Sequence, residues 1–276
     1  MNLSRSEFVN QRDDNSDLIK VGYLLSYDYK YLKYSLPTVY HLADKIFITI
    51  DINRKTWAGQ CIKIPETFFR WLDDFDVDNK ILLYEDTFYI SGLSTMACET
   101  RERNFLAKIM GEDGWHIQID VDEYFLNFKE FVEYLKSIDR STPITIMAQW
   151  ITIFKQNKNE IFYIDSNEEF PVATNVPKYK YARNTFNDNV IRTKFKVLHQ
   201  SWGRSEKDLI FKLKNWGHNK DFDIDSFVYL WKSINKKTYK HVRNFHPLYP
   251  RLWEKLDFIE IADIHSLIEV MRNVKL

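Results

Sequence analysis

The chain has 276 residues, and its 39 Lys and Arg balance 39 Asp and Glu, so the formal net charge is zero. This balance excludes a global attraction to nucleic acid or to an anionic membrane, and we expect no nucleic-acid partner. The length fits one large α/β domain rather than two.

Cys61 and Cys98 have no metal-type spacing and form no disulfide framework, which is typical of a reducing compartment. The chain starts without an apolar signal core, and no apolar run approaches the ~18–20 residues that span a bilayer. We therefore expect a cytoplasmic protein without a transmembrane segment. Peripheral association with a membrane through a partner stays open.

Residues 1–17 are polar and charge-mixed, which predicts a flexible lead-in. Apolar runs then predict four strands, at residues 21–26, 45–51, 80–85 and 115–121. A helical pattern follows each of the four strands, at residues 31–42, 67–74, 100–110 and 128–138. Strands and helices that alternate at this spacing are typical of a mostly parallel sheet flanked by helices.

The second half of the chain is less regular. Residues 144–154 predict a long strand, residues 157–189 are polar and predict a loop, and residues 205–216 predict a helix. From residue 227 onward, aromatic-rich helical patterns predict a C-terminal extension. No internal repeat, low-complexity tract or clean linker separates these parts.

Two carboxylates follow the fourth predicted strand. Residues i and i+2 of a strand lie on the same side, so Asp120 and Asp122 project together while Ile119 and Val121 face the other way. Paired carboxylates repel each other unless a cation lies between them, and their oxygens suit Mg²⁺ or Mn²⁺. A solvated acidic turn after a strand is the alternative for any isolated Asp-x-Asp.

Ser26, Asp51 and Glu85 also lie at predicted strand ends. Ligands of an open parallel sheet gather at the carboxyl ends of its strands, so these side chains and Asp120 should converge on one rim. Asp51 then has two open interpretations. It accepts hydrogen bonds from a nucleobase or ribose, or it caps the turn that follows its strand.

Arg103 lies on the helix that precedes the Asp-x-Asp strand. Its guanidinium would pair with a diphosphate in bidentate fashion if this turn of the helix faces the rim. The alternative is an Arg–Glu pair on a solvated helix face.

A histidine is a candidate third metal ligand, because imidazole can complete an Mn²⁺ site that two Asp begin. His199 precedes a turn and a helix N-terminus, and His218 is the competing choice. On the helix between them, Lys212 or Lys214 would reach a phosphate, or both are surface lysines.

Other mechanisms lack their motifs. The seven glycines form neither a Gly-x-Gly-x-x-Gly run nor a Walker loop, no Gly-x-Ser-x-Gly elbow is present, and no Cys/His pattern indicates zinc.

Residues 99–125 carry a family resemblance. A strand ending at Asp51, the Arg-Asn helix at residues 100–104 and the Asp-x-Asp-Glu run at residues 120–123 together resemble GT-A-type nucleotide-sugar glycosyltransferases of the family-2-like kind, of the bacterial polysaccharide-biosynthesis type. The resemblance covers roughly residues 20–220. It implies a GT-A (Rossmann-like) catalytic domain at residues 18–220, with residues 221–276 as a helical extension packed on the same domain.

The resemblance also implies roles for single residues. Asp51 would lie at the nucleoside, Arg103 near the base or diphosphate, Asp120 on the ribose or metal side, and Asp122 would be the principal metal ligand. His199 would be an additional ligand. The chain departs from the family at the acceptor segment, because the family's Glu-Asp pair has no clear counterpart; Glu168-Glu169 is a pair of acids after the long strand, but its context does not match. The stereochemical outcome is therefore open.

The predicted activity is metal-dependent transfer of a hexosyl or N-acetylhexosaminyl group from a nucleotide-sugar donor, a UDP-sugar or similar, to a saccharide or glycolipid acceptor in surface polysaccharide synthesis. Mn²⁺ or Mg²⁺ on Asp122, with Arg103 and Lys212, would stabilise the charge that grows on the leaving diphosphate. Two alternatives stay open: a nucleotidyltransferase, and a non-catalytic carbohydrate-binding protein that uses Ca²⁺.

Overall fold

The computed structural model describes residues 18–273, so the predicted lead-in at residues 1–17 lies outside the described residues. The strands are β1 (Ile19–Leu25), β2 (Lys45–Asp51), β3 (Ile81–Asp86), β4 (Trp115–Gln118), β5 (Glu123–Phe125), β6 (Ile144–Asn157), β7 (Glu160–Thr174), β8 (Tyr179–Tyr181), β9 (Asn184–Thr185), β10 (Asn189–His199) and β11 (Asp257–Glu260). The α-helices are α1 (Leu32–Val39), α2 (Glu66–Phe75), α3 (Thr95–Met110), α4 (Phe128–Lys136), α5 (Glu206–Asn215), α6 (Ile224–Ser233) and α7 (Ile264–Asn273).

The described part of the chain forms a nine-stranded sheet in the order β3-β2-β1-β4-β7-β6-β10-β5, with β11 paired to β7. The ladders β3-β2, β2-β1, β1-β4 and β6-β10 are parallel. Because β7 runs antiparallel to β4, β6 and β11, most of the strands share one direction, and β5 and β7 run the other way. This arrangement confirms the predicted GT-A-like, Rossmann-type α/β fold.

The central strands are buried on both faces. All residues of β1 and all but the first residue of β2 are buried, as expected for parallel strands covered by helices on both sides. Gly22 lets α3 approach β1 closely, because a Cβ at this position would lie 2.7 Å from Leu106 Cδ2. The helix that carries Arg103 is thereby packed directly against the sheet.

The prediction of a loop over residues 157–189 was wrong. β6 and β7 form a long antiparallel hairpin that turns at residues 158–159 and continues through Thr174. Bulges between Gln149 and Ile151 and between Ile153 and Lys155 interrupt the register. These irregularities bend the strands and disturb the alternation of apolar and polar residues that sequence patterns rely on.

The C-terminal segment packs on the same sheet. β11 adds a strand next to β7, so residues 221–273 contribute a strand as well as helices. The indole of Trp231 in α6 donates to the carbonyl oxygens of Phe154 and Trp202 at 2.7 and 3.1 Å. No helix within residues 18–273 combines the length and apolar character that crossing a membrane requires.

Candidate active site

A cleft of about 560 Å³ lies where the parallel strands end. Ser26 follows β1, Asp51 ends β2, and Asp120 follows β4, and all three line the cleft. The volume is within the range of small-molecule sites, and the location is where ligands of open α/β sheets bind. Glu85 near the end of β3 pairs with Arg54 and is not among the lining residues.

The Asp-x-Asp motif forms a tight turn between β4 and β5. The N–H of Glu123 donates to the carbonyl oxygen of Asp120 at 2.9 Å, and the N–H of Gln200 donates to that of Asp122 at 2.8 Å. Val121 is buried beneath the turn. These contacts hold both carboxylates at the cleft.

Asp122 is surrounded by cationic side chains. Its Oδ2 accepts a hydrogen bond from Lys212 Nζ at 2.8 Å and another from the Arg204 guanidinium, and His199 Nε2 lies 3.6 Å away. Only 3% of the Asp122 side chain is exposed. Lys212 and His199 therefore lie beside Asp122, as a shared site requires.

The pKa of Asp122 reports the balance of two opposing effects. Burial alone would raise the pKa of this carboxyl, but the charges of Lys212, His199 and Arg204 outweigh burial and hold the pKa well below its usual range. Asp28 differs, because burial raises the pKa of its carboxyl although Arg204 Nη2 contacts it at 3.2 Å. The low pKa keeps Asp122 ionised at neutral pH.

Asp120 belongs to a second charged cluster. Its Oδ1 accepts a hydrogen bond from Arg103 Nη2 at 2.9 Å, and the same nitrogen also binds Glu99 at 2.9 Å. Arg183 Nη2 lies 3.7 Å from Asp120 Oδ2. Burial acts to raise the pKa of Asp120, but the charges of Arg103 and Arg183 have the larger effect, so the pKa lies below its usual value. Its side chain is 32% exposed, far more than that of Asp122.

Glu123, the third acid of the motif, is fully buried and holds Arg183 in place. The two carboxylate oxygens accept hydrogen bonds from Nη1 and Nη2 of Arg183, each at 2.8 Å. Glu123 also accepts from the Trp150 indole at 3.0 Å and from the backbone N–H of Asp120 at 2.9 Å. It therefore orients the Asp-x-Asp turn rather than facing a ligand.

Asp51 has the turn-capping interactions of its second interpretation. Oδ1 accepts from the backbone N–H groups of Asn53 and Lys55 at 2.9 and 3.1 Å. Oδ2 accepts from those of Phe88 and Tyr89 at 2.8 and 3.1 Å. The carboxylate lines the cleft while organising two loops, and its contact with a nucleoside stays a prediction.

The remaining predicted residues lie around the same cleft. His218 lines it, but its Nδ1 lies 2.6 Å from Asp221, and its ring contacts Trp216. The structure thus brings His199, and not His218, into described contact with Asp122. Lys212 is buried, whereas Lys214 on the same helix is exposed.

Sequence reasoning missed two arginines. Arg204 and Arg183 contact the Asp122 and Asp120 clusters, yet each lies in a segment without helical or strand periodicity. Arg204 comes one residue before Ser205, whose side chain caps α5. This position next to a predicted helix N-terminus could have indicated that Arg204 lies at the rim. Nothing comparable marks Arg183, which follows the short strand β8.

The floor of the cleft includes a stack of planar groups. The rings of Trp150 and Phe170 stack at 4.4 Å with an interplanar angle of 7°. The Arg183 guanidinium lies 4.7 Å from the Phe170 ring centroid, and the His199 ring is 5.1 Å from that of Trp150. This packing fixes the orientation of both Arg183 and His199.

Acidic side chains outnumber basic ones at the cleft. Eight carboxylates line it, from Asp28, Asp51, Glu99, Glu102, Asp120, Asp122, Glu168 and Glu169. The lining Lys and Arg residues are Lys55, Arg103, Arg183 and Lys212. Arg204 contacts two of these carboxylates, Asp28 and Asp122, from outside the lining, and Arg192 pairs with a third, Glu169, so part of the acidic excess is neutralised within the protein.

The donor atoms at the turn fit a hard divalent ion, since Asp120 and Asp122 supply carboxylate oxygens and His199 an imidazole. Within residues 18–273 no group of three or more His, Cys, Asp or Glu side chains is arranged to hold a metal by itself. Mg²⁺ typically binds through one or two carboxylates and completes its shell with water and substrate phosphates. An ion on Asp120 and Asp122 would therefore need further ligands from water or from a bound phosphate.

Comparisons with known proteins assign no family. No protein-family model matches the chain, and no curated protein matches it. Solved structures similar to it include the inositol-1-phosphate CTP transferase from T. maritima, with 12% identity, a TM-score of 0.37 and coverage of 72% of this chain and 98% of that one. TarS residues 1–349 from S. aureus is similar with 9% identity, a TM-score of 0.39 and coverage of 82% of this chain and 75% of that one.

A third similar structure is the 4-diphosphocytidyl-2C-methyl-D-erythritol synthase from Anaerococcus prevotii, with 13% identity, a TM-score of 0.32 and coverage of 94% and 96%. At TM-scores below 0.5 these similarities identify neither a family nor an activity. The fold class follows from the strand order, and the function has to be argued from the site.

Proposed function

We propose that the protein is a metal-dependent glycosyltransferase that uses a nucleoside-diphosphate sugar, with UDP as the nucleotide, and transfers the sugar to a saccharide or glycolipid acceptor. The observation that carries this proposal is the pair Asp120 and Asp122 at the carboxyl ends of parallel strands, with Lys212 and Arg103 in direct contact with them. This arrangement combines oxygen ligands for a cation with cationic groups for a diphosphate.

In this proposal Lys212, Arg204 and Arg103 have different roles. Lys212 and Arg204 share one oxygen of Asp122, and Lys212 is the one of the two that lines the cleft. Its ammonium group would donate to a phosphate oxygen as negative charge develops there. Preorganised donors in a partly dehydrated site stabilise such charge more strongly than water does.

Arg103, which binds Asp120, would contact the diphosphate from the other side of the turn. Its guanidinium is buried and binds both Glu99 and Asp120, and its Nη1 has no hydrogen-bond acceptor within the described residues. A buried N–H donor without an acceptor is unfavourable, and a ligand oxygen would satisfy it. Arg103 therefore remains our choice for the contact near the diphosphate.

A divalent ion, Mn²⁺ or Mg²⁺, would be held by Asp122 and Asp120, with His199 as a further ligand. When bound, it would neutralise diphosphate charge and act as a Lewis acid. Asp122 keeps the ionised form that ligation needs, because its pKa lies far below neutrality.

The experiment that tests the proposal is product analysis with the purified protein and Mn²⁺. The protein is incubated with UDP-glucose, UDP-galactose and UDP-N-acetylglucosamine, and separately with UTP or CTP plus a sugar 1-phosphate. Release of UDP from a UDP-sugar supports glycosyl transfer. Release of pyrophosphate from the triphosphate mixtures would instead identify a nucleotidyltransferase, and glycan binding that needs no nucleotide would favour the carbohydrate-binding alternative.

A further inference from the structure

One wall of the cleft combines the C-terminal segment with strand β7 and contains none of the donor-side residues. It consists of Glu168 on β7 together with His246, Tyr249 and Trp253, and all four line the cleft. We call this group the acceptor wall. Glu168 was predicted to lie in a loop, but it belongs to the long hairpin strand β7.

Two nitrogen donors lie close to the Glu168 carboxylate, and one of them makes a hydrogen bond. The Trp253 indole donates to Oε2 at 2.8 Å, and His246 Nε2 lies 3.7 Å from Oε1. Both donors come from residues 246–253, so this segment fixes a carboxylate of the β-hairpin at the cleft. About 15% of the Glu168 side chain remains exposed, which leaves it accessible to a ligand.

The tautomer of His246 follows from its backbone contacts. Nδ1 lies 3.1 Å from the N–H of Leu248 and 2.8 Å from the N–H of Tyr249, so it accepts both hydrogen bonds and carries no proton. In the neutral ring the proton is then on Nε2, the atom that faces Glu168. The Nε2–H of His246 thus faces Glu168 at a distance longer than a hydrogen bond.

Tyr249 extends this group toward solvent. Its ring stacks on the imidazole of His246 with a centroid distance of 5.7 Å and an interplanar angle of 25°, while 68% of the residue is exposed. An aromatic ring that is rigidly backed and open to solvent beside a carboxylate has the chemistry of a carbohydrate subsite. The ring packs against the apolar face of a sugar, and the carboxylate accepts hydrogen bonds from its hydroxyl groups.

We infer that the acceptor wall binds the saccharide acceptor, with a sugar hydroxyl donating to Glu168 and a sugar face packed on Tyr249. This inference rests on the proposed function and assigns the acceptor to residues outside the donor-side clusters. His246 and Trp253 are positioning residues, because they act on the ligand through Glu168 and Tyr249.

The test is saturation-transfer NMR with methyl glycosides of glucose, galactose and N-acetylglucosamine as probes, with and without UDP and Mn²⁺. We expect saturation transfer to at least one glycoside with the wild-type protein. Glu168→Gln and Tyr249→Ala should each weaken the binding of that glycoside about tenfold, because each removes one charged hydrogen bond or one stacking surface. UDP affinity should be unchanged in both variants.

Glu160→Gln is the matched control, because Glu160 lies on the same strand, binds Lys236 at 3.1 Å and does not line the cleft. Trp253→Phe removes one donor to Glu168 and keeps a ring. It should weaken glycoside binding while UDP binding stays normal, whereas a general structural defect would impair both. Tyr249→Ala changes an exposed residue, so it provides the test even if Glu168→Gln fails to fold.

The inference is overturned if no glycoside contacts the wild-type protein, or if Glu168→Gln and Tyr249→Ala bind as the wild type does. In these cases normal UDP binding would leave the proposed function standing. Glycoside binding that responds to the variants, combined with no binding of any nucleotide, would overturn the proposed function and retain the subsite.

Discussion

The two sides of the cleft differ in how they are built. The donor side, formed by the ends of β1, β2 and β4 with α3 and α5, contains buried clusters in which arginines and lysines surround Asp120 and Asp122. The acceptor wall has one carboxylate, held by an indole and facing a neutral imidazole, beside an exposed tyrosine ring. The donor side is a charged centre, and the acceptor wall is a mostly uncharged aromatic one.

This difference indicates which ligand each side suits. Buried ion pairs are costly to form and strongly destabilising when one partner is removed, so the donor side is preorganised for a charged group. Stacked rings and one carboxylate do not require a charged ligand, and they suit a neutral, hydroxyl-rich one. Variants of the donor side should therefore impair both stability and nucleotide binding, and variants of the acceptor wall should impair binding of sugars alone.

The largest effect is expected for Asp122→Asn. The substitution leaves Lys212 and Arg204 buried with a neutral partner, so we expect a loss of about 3 kcal/mol in the free energy of unfolding. It also removes the proposed principal metal ligand, and sugar transfer should fall by at least about a hundredfold. Denaturant unfolding and UDP release from a UDP-sugar measure the two effects. Full activity in this variant would refute the metal assignment.

A smaller effect is expected for Lys212→Met, with Lys214→Met as the matched control on the same helix. Lys212 is buried against Asp122, whereas Lys214 is exposed. Loss of one charge-assisted hydrogen bond should raise the Kd for UDP about tenfold, and the control should bind as the wild type does. Equal affinities in the two variants would remove Lys212 from the nucleotide site.

His199→Gln separates a ligand from a structural histidine. If the imidazole contributes to ion binding, the Mn²⁺ concentration for half-maximal UDP binding should rise about tenfold, within the range seen for residues that tune metal sites. His218→Gln is the matched control, because His218 lines the same cleft but pairs with Asp221. An unchanged Mn²⁺ requirement in the His199 variant would show that His199 is not a metal ligand and only packs against Trp150.

Glu102 predicts a pH dependence of stability on the donor side. Burial raises the pKa of this carboxyl to about 7, although hydrogen bonds from Trp57 and Thr49 and the charge of Arg103 oppose the shift. Between pH of about 4.5 and 7 the folded state then binds more protons at this site than the unfolded chain does. The stabilising contribution is complete at low pH and disappears as the pH rises through 7.

Glu102→Gln mimics the protonated form, because its amide can keep contacts with Trp57 and Thr49. We expect this variant to be more stable than the wild type by about 2 kcal/mol at pH 8, with a difference that shrinks toward pH 5. Denaturant unfolding across this range checks it, with the exposed Glu130→Gln as control. A difference that is independent of pH would show that Glu102 does not titrate as described.

The sequence predicted the donor side better than the acceptor wall, and the reason is physical. Parallel strands bring their carboxyl ends to one edge, so the positions of Ser26, Asp51 and Asp120 followed from local patterns and a general rule of topology. The end of α3 at Met110 was predicted correctly from the apolar stripe and Gly111, whereas the helix starts at Thr95, earlier than the predicted residue 100.

The parts that were missed depend on contacts between distant residues. Glu168 meets Trp253 across 85 positions, and Arg183 meets Glu123 across 60. The bulges of the β6-β7 hairpin hide its alternation, and the loop at residues 246–253 has no regular period. Local propensity gives no information about such pairs, so neither the hairpin nor the acceptor wall was predicted.

Calorimetric titration of UDP into the purified protein, first with Mn²⁺ and then with EDTA, tests the central claim most directly. We expect micromolar binding with Mn²⁺ that disappears with EDTA, because the proposed ion on Asp120 and Asp122 would neutralise the charge of the diphosphate. Equal binding in both conditions would contradict the metal site. Absence of binding by UDP, GDP, CMP and dTDP in either condition would contradict the nucleotide-sugar proposal itself.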